Sequence, residues 1–333
     1  MTLRRAAAAL ALAATMAGCG APGDPDPDPP ASGSAPGSAP GSASGSAPPG
    51  TSPAPEAPTA VDPAAPALTR PPLARDADDL ARRLVAAEDV VRDPASSEQA
   101  LQQAAFDTQV LYRQLTRRRS WQPAVLAAAG PHRRTVADHV EARTQLRRLL
   151  SRPATTVPAW RIVAPPPLDE LRRHYAEAER TFGVPREVLA AVNLVETGFG
   201  KIRGFSSAGA RGPMQFLPAT WAQYGKGDID DPRDAILAAG RYLAAHGGGE
   251  PGRLDEALYA YNHHDGYVRG VRAYARILQR DPGALAGLYR WQIVYLSQRG
   301  DLWLTHGYRR RTSLPVEQYL RRHPDRLLDA ATD

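Results

Sequence analysis

The chain of 333 residues reads as a mainly α protein, and three observations carry that reading. No glycine occurs between Thr51 and Ala129, and residues 73–152 are dense in Ala, Leu, Arg, Glu and Gln, all strong helix formers. From Leu168 to Arg280, apolar residues recur at helical spacing between successive helix stop and start signals. Conversely, 16 of the 32 prolines crowd into residues 20–72, so the helical part begins only beyond them.

Taken in order, residues 1–19 read as an address. Arg4 and Arg5 form a short basic start, and Ala6 to Thr15 an apolar stretch too short to span a bilayer but of secretory-signal dimensions. The stretch closes on Met16-Ala17-Gly18-Cys19, which resembles the bacterial lipoprotein processing box, with Met16 where Leu is more usual. Cys19 is the chain's only cysteine, so a disulfide framework within the chain and a Cys-rich metal site are both excluded. The expectation is an exported protein, lipidated at Cys19 and held on the outer face of the cytoplasmic membrane, facing the cell wall. No apolar run reaches the roughly 18 residues of a conventional membrane-spanning helix.

Residues 20–72 hold Pro, Gly, Ser, Ala and a few acids, without an aromatic residue, and cannot bury enough apolar surface to offset their ordering entropy. They are expected to form a disordered tether, with a root-mean-square reach of roughly 40 Å as a flexible coil. Charge is unequally shared. Residues 20–69 contain five acids and no base, whereas 70–333 hold 39 basic and 30 acidic residues. A moderately basic domain suits anionic surroundings such as a wall or membrane face. The arginines are scattered, with no nucleic-acid-binding signature, so no nucleic-acid partner is expected.

In 73–152 the sets Leu80-Leu84-Ala87-Val91, Leu101-Ala105-Leu111-Leu115 and Val136-Val140-Leu146-Leu150 are helical stripes, interrupted at Pro94, Pro123 and Gly130-Pro131. They predict three or four helices packed against one another or against the helices beyond residue 165. His132 and His139 lack acidic or cysteine partners at ligand spacing. This region carries no legible chemistry and is a candidate docking unit for cell-wall synthesis or division proteins.

After Pro165-Pro166-Pro167 the pattern predicts a helix from Leu168 to Phe182, closed by Gly183, and another opened by Pro185. Val188, Ala191, Val192 and Val195 form the apolar face of the second helix, and Glu196 comes at its edge, just before Thr197-Gly198. Apolar surroundings and the negative end of the helix dipole both raise a carboxyl pKa, which suits a general acid near neutral pH. A loop with five glycines between Gly198 and Gly212 lets the backbone approach a ligand closely. It leads into Gly212-Pro213-Met214-Gln215-Phe216, where Gln215 is polar within an apolar run and needs partners. Asp231-Pro232 caps a helix with Ile236, Ala239 and Leu243 buried. A short helix ends at Ala260-Tyr261-Asn262, and a last one carries Val268, Val271, Ala275 and Leu278.

The ordered set Glu196-Thr197-Gly198, Ser206-Ser207-Ala208-Gly209-Ala210-Arg211-Gly212-Pro213-Met214-Gln215 and Ala260-Tyr261-Asn262 resembles the soluble lytic transglycosylase family. The resemblance covers roughly residues 165–280 and implies a lysozyme-like catalytic domain that cleaves peptidoglycan glycan strands. It implies that Glu196 is the catalytic acid and base, that Ser206, Gln215 and Tyr261 border the reacting sugar, that Met214 shapes the groove and that Asn262 holds its motif together. The sequence departs from the family at Thr197 (usually Ser), Pro213 (usually Leu) and His263-His264 (usually Ala-Gly). Adjacent histidines lack zinc-ligand spacing, and neither a metal nor a cofactor is expected.

The domain organisation expected is thus a signal segment (1–19), a tether (20–72), a helical unit (73–152), a catalytic domain (160–285) and an extension (286–333). In the extension, Tyr289, Trp291, Tyr295, Trp303 and Tyr308 either prolong a glycan groove or belong to a helix packed on the catalytic domain. The motifs supply one carboxylate where ordinary glycosidases need two. Such a site suits substrate-assisted chemistry, and the resemblance implies a non-hydrolytic transglycosylase. A hydrolytic muramidase using an aspartate from 228–234 and a non-cutting glycan-binding lipoprotein are the alternatives.

Overall fold

The computed structural model describes residues 68–330; the signal segment, Cys19 and the tether up to residue 67 lie outside the described residues. Four helices open the described part: α1 (Ala77–Arg92), α2 (Glu98–Arg117), α3 (Gln122–Ala128) and α4 (Arg133–Arg147). Asp76 caps α1 by accepting from the Asp79 amide at 2.7 Å, and Ser97 caps α2 through the Ala100 amide. The expected stripe Leu80, Leu84, Ala87 and Val91 is buried along α1. Residues 68–72, expected as the end of the tether, instead lie against these helices. Thr69 exchanges two hydrogen bonds with the Gln103 side chain, and Arg83 donates to the Pro72 carbonyl at 2.7 Å.

Two short strands come next, β1 (Thr156–Val157) and β2 (Arg161–Ile162), and then α5 (Leu168–Phe182) and α6 (Arg186–Thr197) with the bounds the capping signals predict. Beyond α6 come β3 (Ile202–Arg203), α7 (Pro218–Tyr224), α8 (Pro232–Ala245), α9 (Leu254–Tyr261) and α10 (Asp265–Arg280). The chain closes with α11 (Ala284–Arg290), β4 (Ile293–Ser297), β5 (Gly300–Leu304), β6 (Leu314–Pro315), α12 (Val316–Arg322) and β7 (Leu327–Ala330). The strands pair antiparallel as β1–β6, β2–β3 and β4–β5–β7.

The helices of 73–152 are not a self-contained unit, because one apolar core runs from Ala74 through α6 and α8 to Trp291. The closest join is α4 on α10. A β-carbon on Gly270 would stand 2.5 Å from Leu146, and one on Gly266 would stand 2.5 Å from the Gln145 carbonyl. Only glycine permits that approach. Ion pairs edge the join: Asp138 accepts from Arg276 at 2.8 Å and also from Arg280. Both packing modes the stripes allow are adopted: α1 packs on α2 and α3, while α4 packs on α10 and α2 on α11.

The extension differs from its expected character. It builds a sheet, and its aromatics are interior. Along β4, Ile293 and Tyr295 pack into one cluster with Leu302 and Leu304. Val294 faces the other way, joining Trp303, Leu328 and, from α2, Phe106 and Val110. Trp291 and Tyr308 are buried as well. Tyr295, Trp303 and Tyr308 thus pack on the faces of a small sheet, whereas Trp291 joins the main core and Tyr289, on the short helix α11, packs half-buried against it. Arg113 and Arg117 of α2 both engage the buried Asp301 of β5, the central strand, tying the first helices to the last strands.

Candidate active site

The site is built around the end of α6. Every residue from Val188 to Thr197 is buried, so the helix passes through the core and delivers Glu196 at 0 % exposure. The helix stops because Gly198, Phe199 and Gly200 all adopt positive φ, the left-handed region that favours glycine. Thr197 secures the turn: its hydroxyl donates to the Pro213 carbonyl at 2.6 Å and accepts from the Gly200 amide at 2.9 Å. A hydroxyl is what this position needs. Thr supplies it as Ser would, which accounts for that departure.

Tyr267 of α10 donates to Glu196 Oε1 at 2.8 Å, while Oε2 has no hydrogen-bond partner among the described residues. Burial pushes the Glu196 carboxyl up to about 8, and the Tyr267 hydrogen bond opposes part of that rise. Glu196 is thus a neutral acid at pH 7, with one oxygen oriented and the other left for its proton.

The remaining residues form a wall around this group. The Tyr261 ring lies parallel to Tyr267 with centroids 6.2 Å apart, and its hydroxyl donates to the Met214 carbonyl at 2.6 Å. Met214 is fully buried, its Sδ accepting from Asn193 of α6 at 3.1 Å. Gln215 holds a positive φ of 51° and donates from Nε2 to the Gly212 carbonyl at 3.0 Å, so its amide is the partner-satisfied polar group the apolar run required. Asn262 is buried as the C-cap of α9, where its carbonyl accepts from the His264 amide at 2.6 Å. His264 in turn caps α10 by accepting from the Gly266 amide at 2.8 Å, a local structural use for one of the unexpected histidines.

Ser206 belongs to the glycine-rich loop that leads to Gln215. Its hydroxyl accepts from the Ala208 and Ala210 amides at 3.2 and 3.0 Å, bracing the glycine-rich loop, and it lines the groove on the loop's other side. The aspartates of 228–234 are likewise engaged locally. Asp231 caps α8, Asp228 accepts from the Asp230 amide, Asp234 accepts from the Asp228 amide, and Asp230 pairs with Arg211 at 2.7 Å. None of them enters the electrostatic environment of Glu196, whose shift has burial and Tyr267 as its causes.

Tyr267 is the residue that sequence reasoning missed. It lies on the buried stripe of α10 with Val271 and Tyr274, where an aromatic side chain passes for core. The available signal was its hydroxyl, a polar group on an apolar face that had to find a partner.

Lys201 anchors the loop after Glu196. It is buried without a carboxylate and donates from Nζ to the carbonyls of Trp291 (2.9 Å) and Tyr289; burial lowers its pKa to about 7.

Comparison with known proteins agrees with this geometry. Residues 174–281 match the family described as the transglycosylase SLT domain. Among curated proteins, a membrane-bound lytic murein transglycosylase F of Thiobacillus denitrificans is 31% identical over 140 residues, covering 40% of this chain and 29% of the relative. A membrane-bound lytic murein transglycosylase F 2 of Alkalilimnicola ehrlichii is 33% identical over 121 residues, covering 34% of this chain and 27% of the relative. The chain thus spans less than a third of the length of these relatives. No solved structure matches the chain. Residues 174–281, which carry Glu196, Gln215, Tyr261 and Tyr267 on α6, its adjoining loop, α9 and α10, are thus similar to the transglycosylase SLT domain family.

Proposed function

We propose that the chain cleaves the β-1,4 bond between N-acetylmuramic acid and N-acetylglucosamine in peptidoglycan without water, leaving 1,6-anhydromuramic ends. The observation that carries this reading is a single buried carboxyl, neutral at pH 7, with Oε2 available and no second carboxylate acting on it. Glu196 protonates the bridging oxygen, and the departing sugar leaves as an alcohol. The substrate's 2-acetamido carbonyl stabilises the positive charge developing at the anomeric carbon. Glu196, now a carboxylate held by Tyr267, takes the proton from the 6-hydroxyl of the same sugar, and that oxygen closes on the anomeric carbon. The proton lost in the first half is regained in the second, so the acid is reset without a cofactor or metal. A one-carboxylate site fits substrate-assisted chemistry, an exception to the two-carboxylate rule.

In this reading Gln215, Tyr261 and Ser206 border the sugar, Met214 shapes the floor and Asn262 fixes the end of α9. Cys19 bears the lipid that holds the protein on the outer face of the cytoplasmic membrane. The described residues include no helix long and apolar enough to cross a membrane. Partners in wall synthesis or division would dock on the faces of 73–152 turned away from the shared core.

The test is mass spectrometry of soluble muropeptides released from peptidoglycan by the full chain and by Glu196→Gln. Products about 18 Da lighter than those of hydrolysis, one water fewer, and absent with the variant, are expected. Reducing ends would replace the reading with a hydrolytic muramidase, and absence of release from several wall types would replace it with a glycan-binding lipoprotein.

A further inference from the structure

The glycine-rich loop after Glu196 has a second face. There it forms one wall of an open groove of about 910 Å³, whose other walls come from residues 156–161 and 310–313, outside the family match. Five arginines line the groove, Arg161, Arg203, Arg211, Arg310 and Arg311, against one acid, Asp230. That acid is already committed. Its carboxylate pairs with Arg211 at 2.7 Å, and its backbone carbonyl accepts from Arg203 at 2.9 Å.

The backbone forces the arginines together. β2 and β3 pair so that Arg161 lies directly opposite Arg203, and on its other side Arg161 bridges Arg309. Like charges directly opposite on neighbouring strands are destabilising. The short ladder nevertheless places three in a row, and neither Arg161 nor Arg311 makes a side-chain hydrogen bond or ion pair among the described residues. Arg161 and Arg311 are exposed, but the backbone beneath the groove is fixed by close packing. Trp160 donates from Nε1 to the Phe205 carbonyl at 3.3 Å and packs edge-on to Tyr295, while Gly204 lies so close to Trp160 that a β-carbon there would clash at 2.5 Å. On the rim Phe205 is 63 % exposed, a large apolar side chain held in solvent beside the guanidinium groups.

From this juxtaposition we infer that the groove binds the acidic peptide carried by the muramic acid sugar, its carboxylates paired with Arg161 and Arg311 and an apolar side chain resting on Phe205. Guanidinium forks suit carboxylates bidentately, and a groove of one sign concentrates an anionic ligand. Ser206 and Gly212 line the groove, and Gly212 also accepts from Gln215 of the sugar site, so a branch leaving the reacting sugar has a short path into it. The inference rests on the proposed glycan substrate, and its test is independent of cleavage.

The full chain is titrated against a fluorescently labelled alanyl-γ-glutamyl-diaminopimelyl-alanine peptide, the same peptide with its carboxylates amidated, and polyglycerol phosphate, all read by anisotropy. Saturable binding of the free-acid peptide is expected. It weakens about tenfold on amidation and about tenfold in Arg161→Ala/Arg311→Ala, the loss of roughly two exposed ion pairs. Arg311→Gln alone, in an exposed loop, gives a smaller loss in the same direction and carries the test if the double variant fails to fold. Equal affinities across peptides and variants, or no saturable binding, overturn the inference. Preferred binding of polyglycerol phosphate, lost in the same variant, overturns it in favour of a phosphodiester polymer. Absence of anhydromuropeptides alongside intact peptide binding removes the proposed reaction and leaves the groove's assignment standing.

Discussion

Two carboxyl groups in this molecule are equally hidden and behave in opposite ways. Glu196 and Asp301 are both essentially without solvent contact. Around Glu196 the neighbours are apolar or neutral, burial dominates, and the carboxyl rises to about 8. Around Asp301 burial pushes upward too, but the charges and hydrogen bonds of Arg113 and Arg117 more than offset it and hold the group well below the ordinary carboxylate range. The difference lies entirely in what is packed alongside. One arrangement keeps a proton ready for transfer; the other makes a permanent anion that fastens α2 to β5. Burial alone therefore does not keep a carboxyl protonated; burial without a counter-charge does.

The largest effect that can test this contrast is on turnover. Glu196→Gln should abolish release of anhydromuropeptides, a loss on the order of 1,000-fold or more, with the far-ultraviolet circular dichroism unchanged. The same substitution should raise stability at alkaline pH. A carboxyl raised in the fold binds its proton more tightly folded than unfolded, so its contribution falls as pH rises from about 4.5 through about 8. Thermal scans should show Glu196→Gln melting several degrees above the unsubstituted chain at pH 9, and the two coinciding near pH 4.

Asp301→Asn should do the reverse, leaving two arginines facing a neutral amide. A loss of about 3–5 kcal/mol in denaturant unfolding is expected at pH 7. Because the Asp301 carboxyl is depressed, its contribution is present above its unfolded value and fades as pH falls through its lower folded value, so the variant and the parent converge in acid. Gly270→Ala, on the α4–α10 join, should cost about 1–3 kcal/mol through the clash with Leu146, measured by the same unfolding curves. The finest probe is Tyr267→Phe. Removing a hydrogen bond that lowers the Glu196 pKa should move the alkaline limb of the pH–rate profile upward, with a turnover loss of about tenfold as the carboxylate loses its orientation.

How much of the fold and site was legible in the sequence depended on whether the signal was local. α5, α6 and α8 announced themselves through Gly183, Gly198 and Asp231-Pro232, because caps are chemistry between near neighbours. Glu196 was legible from its place at the end of an apolar face, and Gln215 and Tyr261 from ordered motifs. Tyr267 was not, since its hydrogen bond reaches across 71 positions and its spacing is that of any buried ring. The sheet was hidden for a different reason. β4 is buried on both faces, so Ile293 to Ser297 reads as an unpatterned apolar run. The turn to β5 is Gln298-Arg299, without the Asn-Gly type of signal that marks a hairpin. The arginine groove was likewise invisible, because its residues come from three stretches that only β2, β3 and the segment after Gly307 bring together.

The clasp made by Lys201 bears on how the matched stretch can travel. The matched stretch ends at residue 281, yet the lysine that steadies the loop after Glu196 finds its acceptors at Tyr289 and Trp291. A fragment excised at the family's borders would also bare the face of α10 that Gly266 and Gly270 press against α4. In this chain the matched stretch is not a portable cassette. The flanking helices and strands are its missing walls, and any transplant of the matched stretch must carry them along.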